Sequence, residues 1–285
     1  MLHALDHVIV AVRDLAASTE TYEKLLGRTP SWRGGHPALG TANTLFRLAN
    51  TYLELLAPVG PGPFAAQLEQ QLARDGEGLA GLAFGTDDAD ECAAALRASG
   101  IAASDPVPGA GRDERTGAKR EWRNVMIPPE AARGVFMFAI EHRSPPETLP
   151  PAAPTGVAGA AVEALDHAVV QTTDPEAALR FYGEQLGLRL ALDRRFDARG
   201  VRLQFFRVGG VTVEVASRLA APADPSRDRL WGLAWRVPDA DRARARLAEA
   251  GFPVSAVRDG HKPGTRVCTV ECDTCGVPTL MIAPG

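Results

Sequence analysis

Residues 5–27 read LDHVIVAVRDLAASTETYEKLLG, and residues 165–187 read LDHAVVQTTDPEAALRFYGEQLG. Leu5, Asp6, His7, Val10, Asp14, Ala17, Tyr22, Leu26 and Gly27 return as Leu165, Asp166, His167, Val170, Asp174, Ala177, Tyr182, Leu186 and Gly187, at a constant offset of 160. Each copy runs apolar for a strand, meets an acidic cap, and continues as an amphipathic helix that stops at glycine. A second repeat lies inside each half. Residues 81–101, GLAFGTDDADECAAALRASGI, match 232–252, GLAWRVPDADRARARLAEAGF, at an offset of 151. Asp88 or Asp90 and Asp239 or Asp241 are placed to cap helices, and Gly100 and Gly251 stand where those helices end.

The repeats divide the chain into four modules, about 1–60, 78–143, 164–220 and 229–285. Each begins strand then helix and continues with short strands such as TLFRL, TYLELL, LQFFRV and VTVEVA, the order β-α-β-β-β. The expected fold is α+β: four such modules paired into two domains with curved sheets and the helices outside. The first domain is expected over residues 1–143 and the second over 164–285. Between them, 144–163 is rich in Pro and Ala with little to bury, and reads as an extended, semi-rigid linker. Paired curved sheets leave a concave interior, where a small-molecule site belongs.

Composition narrows the function. The 285 residues are 45% hydrophobic and 23% charged, ordinary for a globular chain with a proper core. Lys and Arg number 31 against 35 Asp and Glu, net −4, without the basic excess of a nucleic-acid binder. No run of 18 apolar residues suggests a membrane span. The start, MLHALDHVIVAV, reads as a first strand rather than a signal peptide. Four cysteines make no disulfide framework, which points to a reducing cytoplasm. The expected partner is a small-molecule substrate, taken by a monomer or homodimer.

Polar residues interrupt the apolar strands. His7 lies in LDHVIVAV and Glu54 in YLELLAP; His167 lies in LDHAVV and Glu214 in VTVEVA. Both pairs are 47 positions apart. A glutamate in mid-strand is costly unless it is hydrogen-bonded, paired or bound to a cation. His and Glu are ligands for Zn, Fe, Mn, Ni or Co. The plain alternative is that each His is a satisfied strand residue and each Glu pairs with an arginine such as Arg47 or Arg207.

These motifs resemble the vicinal oxygen chelate superfamily, the glyoxalase, bleomycin-resistance and extradiol dioxygenase group. The quoted stretches look like its strand-1 His, its first-helix YxxxLG and its strand-4 Glu, and GGHPALGTANTLFRL followed by YLELL is similar to the glyoxalase-like subgroup. The resemblance covers both halves. It implies glyoxalase-like domains whose paired modules cup a divalent metal chelated by substrate oxygens. On that pattern His7, Glu54, His167 and Glu214 match metal ligands. The remaining positions fall on Leu82 and Phe138 in module 2, and on Leu233 and Leu280 in module 4, none of which can bind metal. Three outcomes stay open: the two His–Glu pairs assemble into one site, each half holds its own two-residue site, or no metal is used.

Other candidates are weaker. His36 sits in WRGGHPALGTANT, where the glyoxalase-like resemblance places it beside the pocket as a third ligand or an acid/base. Asn43 offers a donor and an acceptor to a ligand. Arg195 and Arg266 are placed to meet a substrate carboxylate or phosphate, against the plain alternative of surface salt bridges. Trp231 is a candidate pocket wall, though a core role competes. The CxxC of Cys272 and Cys275 is a weak zinc or redox signal, and no nucleotide-binding glycine motif is present. The expected function is a metal-dependent lyase or isomerase in which Glu54 and Glu214 move protons. Alternatives are an Fe(II)-dependent ring-cleaving dioxygenase and a non-catalytic drug- or metabolite-binding protein.

Overall fold

A computed structural model describes residues 1–220 and 227–285. The first half contains β1 (Ala4–Ala11), α1 (Leu15–Leu26), β2 (Trp32–His36), β3 (Thr41–Arg47), β4 (Tyr52–Pro58), α2 (Pro63–Asp75), β5 (Gly78–Gly85), α3 (Ala89–Ala98), β6 (Val107–Arg112), β7 (Lys119–Ile127) and β8 (Phe136–His142). The second contains β9 (Ala164–Gln171), α4 (Pro175–Ala178, continued as a π-helical stretch to Gln185), β10 (Arg189–Phe196), β11 (Val201–Val208), β12 (Val211–Arg218), β13 (Arg229–Arg236), α5 (Ala240–Glu249), β14 (Arg258–Asp259), β15 (Thr265–Val270) and β16 (Thr279–Pro284). Strand, helix and three strands thus occur four times.

Two modules join into each eight-stranded sheet. The strand orders are β2-β3-β4-β1-β5-β8-β7-β6 and β10-β11-β12-β9-β13-β16-β15-β14. The seam of each sheet is the antiparallel pair of module-opening strands, β1 with β5 and β9 with β13. Alternation along β1 sorts its side chains. Leu5, Val8 and Val10 enter the core beneath the helices, whereas Ile9 and Ala11 belong to a separate apolar cluster on the inner face. Asp14, Asp88, Asp174 and Asp239 each accept backbone N–H bonds as N-caps. Gly27 follows α1 at φ 65°, and Gly100 and Gly251 follow the caps of α3 and α5 at φ 87° and 92°, a left-handed turn that glycine adopts without a Cβ clash.

The stretch between the sheets buries more than its composition suggests. Leu149, Ala152, Ala160, Ala161 and Val162 are buried. Its backbone is pinned to module 1 through Ala152 to Arg47, Thr29 to Ala153, Thr155 to Gly27 and Val162 to Leu26. Arg28 also donates to the carbonyls of Ala152 and Val162.

The helix α2, between modules 1 and 2, lies outside the repeat. Its signal is legible in hindsight: Pro63 at the first helical position, then Leu68 and Leu72 at helical spacing. Leu68 and Leu72 pack with Ile9, Leu56 and Phe138, so α2 covers part of the inner face of the first sheet.

The two sheets end differently. In the first, the edges meet: Gly34 of β2 bridges Asp113, the Asp113 carboxylate accepts from Arg33 N at 2.9 Å, and Glu114 N donates to Arg33 O. Glycine permits this approach, since a Cβ at Gly34 would lie 2.5 Å from the Trp32 indole nitrogen and 2.8 Å from Arg112 O. In the second, β14 is only two residues long, β10 is exposed along nearly its whole length, and no bridge joins these edges among the described residues. The first sheet is a closed cup and the second an open one. Among the described residues, no helix is long and apolar enough to cross a membrane.

Candidate functional site

The closed cup encloses a cavity of about 560 Å³, lined entirely by residues of the first half. Its walls carry Phe64, Trp122, Phe136 and Phe138, with His7 and Glu54 among the lining groups. Both polar groups follow from strand register. His7 is on β1 and Glu54 on the parallel neighbour β4, where Ile9 pairs with Glu54 and His7 with Tyr52. A shared inner face brings the two side chains to 3.5 Å, His7 Nε2 to Glu54 Oε2.

Each is held from behind. Asn43 Nδ2 donates to Glu54 Oε1 at 2.7 Å, which leaves Asn43 Oδ1 buried without a partner. His7 Nδ1 meets Asp6 Oδ1 at 2.7 Å, and Asp6 Oδ2 meets His142 Nε2 at 2.9 Å. Burial pushes the Asp6 carboxyl up, yet the hydrogen bonds from His142 and His7 outweigh it and hold Asp6 well below the usual carboxylate range. The Asp6 carboxylate can only accept, so His7 Nδ1 carries a proton toward it, and Nε2 is the ring nitrogen turned to Glu54. The ring is fixed by stacking on Tyr52, centroids 4.4 Å apart, and by the edge of Phe138 at 5.5 Å. Nε2 and the Glu54 carboxylate thus stand side by side on the cavity wall.

His36 stands at the end of β2 on the cavity wall, 3.3 Å from Thr41 Oγ1 and edge-on to Trp122. Arg47 does not pair with Glu54; it donates to the carbonyls of Pro146 and Leu149.

The equivalent pair in the second half repeats the geometry on the open cup. His167 Nε2 lies 3.8 Å from Glu214 Oε2, and His167 Nδ1 lies 2.9 Å from Asp166. Arg236, at 3.7 Å, stands by Asp166. Burial pushes the Glu214 carboxyl above its usual range, with His167 and Arg199 pulling it back. The four residues are not brought together: His7 and Glu54 belong to one sheet, His167 and Glu214 to the other, and neither of the latter lines the cavity.

The structure places the remaining candidates as follows. Arg195 is exposed on β10, 3.4 Å from Asp197, and Arg266 on β15 reaches Asp241 at 3.6 Å, so both make the plainer surface pairs. Trp231 is 47% exposed on β13, in the second half, away from the cavity of the first. Leu82 and Leu233 are core residues. A register shift in each seam pairs Ala83 with His7 and Ala234 with His167 instead.

Donor chemistry tests whether a divalent metal fits. Two ligand atoms 3.5 Å apart can both reach an ion with bonds of about 2.0–2.2 Å, and the Asp6–His7 contact is the usual support for a metal-binding imidazole. Catalytic sites use three protein ligands, however. The inner-face positions opposite are Ala83 and Phe138, which carry no donor atom. Among the described residues no group of three His, Cys, Asp or Glu is arranged to hold an ion. The residues present supply half of a metal site and do not complete one. Cys272 and Cys275, in the turn between β15 and β16, are no part of such a group either.

Arg120 and Phe64 are among the cavity-lining residues that the sequence alone did not reveal. Arg120, on β7, is buried against Trp32 and Tyr52. Phe64 enters from α2. The β7 stretch KREWRNVMI opens on three charged residues in a row, without a period-two pattern, so the sequence did not reveal that one arginine points inward.

Comparison with known proteins agrees with this architecture. Residues 5–163 match the model of a glyoxalase-like domain, and residues 166–269 match that of the glyoxalase/bleomycin resistance protein/dioxygenase superfamily. An ethylmalonyl-CoA/methylmalonyl-CoA epimerase of Cereibacter sphaeroides is 38% identical over 74 residues, 26% of this chain and 55% of that protein. The chain thus spans about half the length of the curated relative it matches. Among solved structures, a mutant 4-hydroxymandelate synthase from Streptomyces coelicolor superposes with TM-score 0.69 at 17% identity, covering 100% of this chain and 93% of that one. A hypothetical protein from Staphylococcus aureus gives TM-score 0.65 at 10% identity, covering 97% of each chain. At such identities the structures speak for the fold alone. With one glyoxalase-like model spanning more than half of the sequence and a second from the same superfamily over most of the remainder, the chain belongs to the glyoxalase, bleomycin-resistance and dioxygenase superfamily, the vicinal oxygen chelate proteins.

Proposed function

We propose that the closed cup of the first half is the active site of a lyase- or isomerase-type enzyme that moves a proton on a small, mainly apolar substrate bearing oxygen functions. The observation that carries this reading is the buried Glu54 carboxylate, set in an aromatic cavity beside His7 Nε2. Glu54 takes a proton from carbon next to a substrate carbonyl and returns it to the same carbon or a neighbouring one. Asn43 holds the carboxylate in register, and Asp6 fixes the His7 tautomer, so that Nε2 accepts a substrate O–H. The apolar walls exclude water, which strengthens each of these contacts. The epimerase name of the curated relative supports proton movement as the reaction class. The resemblance implies Lewis-acid help from a divalent metal; since the donor set is incomplete, no step here depends on one.

The test is hydrogen–deuterium exchange in D2O across a panel of small 2-oxo acids, 2-hydroxy ketones and acyl thioesters, followed by NMR. Wild-type protein is expected to catalyse exchange at one carbon of at least one class, and Glu54→Gln to lower that rate by about 10²–10⁴-fold. Exchange that is absent throughout, or untouched by Glu54→Gln, sinks the reading. The absence of donors at Ala83 and Phe138 supports a second reading, a protein that binds a small molecule without turnover. Tight binding of a panel member with no exchange would select it. Metal analysis of protein purified without chelator separates both from a metalloenzyme, for which about one equivalent, lost in His7→Ala, is expected.

A further inference from the structure

Arg120 is 7% exposed and lines the cavity, yet none of its guanidinium nitrogens lies within ion-pair distance of a carboxylate among the described residues. Its guanidinium rests over Trp32 at 5.6 Å and over Tyr52 at 5.5 Å, and the same Tyr52 ring stacks on His7. Arg133, whose side chain is 11% exposed, offers a contrast within the same chain. Arg133 is clamped by both oxygens of Asp228, each at 2.9 Å. The Tyr52 side chain gives the guanidinium a hydrogen-bond partner and the aromatic faces attract the cation, but neither supplies the negative charge that Asp228 gives Arg133. A buried arginine without its anion is costly, and such a group persists where the missing anion arrives with a ligand.

We infer that the cavity takes a small carboxylic acid, its carboxylate held by Arg120 and its apolar or ring-bearing body against Phe64, Phe136 and Trp122. Asn43 adds a second requirement. Its Nδ2 is committed to Glu54, and its buried Oδ1 has no hydrogen-bond partner in the protein, which leaves an acceptor beside the Glu54 carboxylate. The substrate class is therefore an acid that carries a hydrogen-bond donor close to the carbon that Glu54 addresses. Tyr52, touched by Arg120 on one side and His7 on the other, sets the spacing between the anchored carboxylate and the acid–base pair. This inference rests on the reading of the closed cup as the functional site, and it names what that site recognises.

The experiment compares 3-phenylpropanoate with 3-phenylpropanamide, which share a body and differ in charge, by calorimetry or ligand-observed NMR. Wild-type protein is expected to bind the acid at least 10-fold more tightly than the amide, and Arg120→Gln to bring the ratio near one. Glu54→Gln is expected to keep the ratio. Should Arg120→Gln fold poorly, the wild-type Arg120 Nε–H resonance, assigned by its loss in Arg120→Lys, is expected to shift with acid and not with amide. Equal affinities, no binding of the acid, a ratio that survives Arg120→Gln, or an unmoved Nε–H resonance each overturn the inference. If the ratio holds while deuterium exchange is absent, the proton-transfer reading falls and the carboxylate site stands. The converse result leaves catalysis without Arg120.

Discussion

Asp6 and Glu214 are both acidic residues beside a strand histidine, and their surroundings push them in opposite directions. Asp6 is held low by His142 and His7, so its folded-state value lies below the unfolded one near 3.9. The stability it contributes is present above about pH 4 and is lost as pH falls toward the folded value. Asp6→Asn is expected to cost roughly 1.5–3 kcal/mol at pH 7. In urea melts, the gap to wild type should close progressively below about pH 4; a gap constant down to pH 2.5 would count against the ionised contact. Glu214 is pushed up by burial, so the folded state prefers its neutral form. Wild-type stability therefore declines as pH rises from about 4.3 through the raised value. Glu214→Gln should raise the melting temperature at pH 7 by a few degrees, with no gain at pH 3.5. The 47-residue spacing in the sequence marked both His–Glu pairs. It could not show that one has Asn43 as a hydrogen-bond partner and the other stands half-open, because those neighbours come from different strands.

At the level of elements, the decisive difference between the halves is closure of the sheet edge. Asp113 makes the closure polar as well as steric: Oδ1 accepts from Arg33 N, and Oδ2 accepts from Thr116 N at 3.0 Å and Thr116 Oγ1 at 2.6 Å. Asp113→Ala leaves those backbone donors unsatisfied and should destabilise the protein by about 1–3 kcal/mol. Because the cup opens at the same edge, affinity for a cavity ligand should fall with it, by at least 10-fold. Titration of the variant at a temperature where it remains folded checks this, and unchanged affinity would show that the edge contact is merely structural. The repeated β-α-β-β-β order and its caps were readable because each is local, set by periodicity and by side chains a few residues from the backbone they serve. Closure was not, since it depends on β2 meeting the loop after β6 some 80 residues later.

Across the whole molecule, the halves are joined by buried polar contacts. Arg133 of the first half is bound by Asp228 of the second, whose Oδ2 also accepts from the Tyr182 hydroxyl. Arg246 of α5 donates to the carbonyls of Lys24 and Leu25 at the end of α1, where a cation also suits the helix dipole. Asp228→Ala strands the Arg133 charge and should cost about 3–5 kcal/mol, whereas Arg133→Met with Asp228→Leu should recover much of that loss. Urea unfolding of the three proteins decides it; a double variant no better than Asp228→Ala would mean that the polar contact itself is needed. By itself the sequence determined the four modules, their pairing into curved sheets and the two His–Glu pairs, because periodicity, caps and repeat spacing are written along the chain. Only the tertiary structure decided that the pairs occupy separate cups, that Ala83 rather than Leu82 pairs with His7, and that Arg120 stands in the closed one with no carboxylate partner among the described residues. Register, sheet closure and burial depend on which distant strands meet, and those contacts leave no period in the sequence.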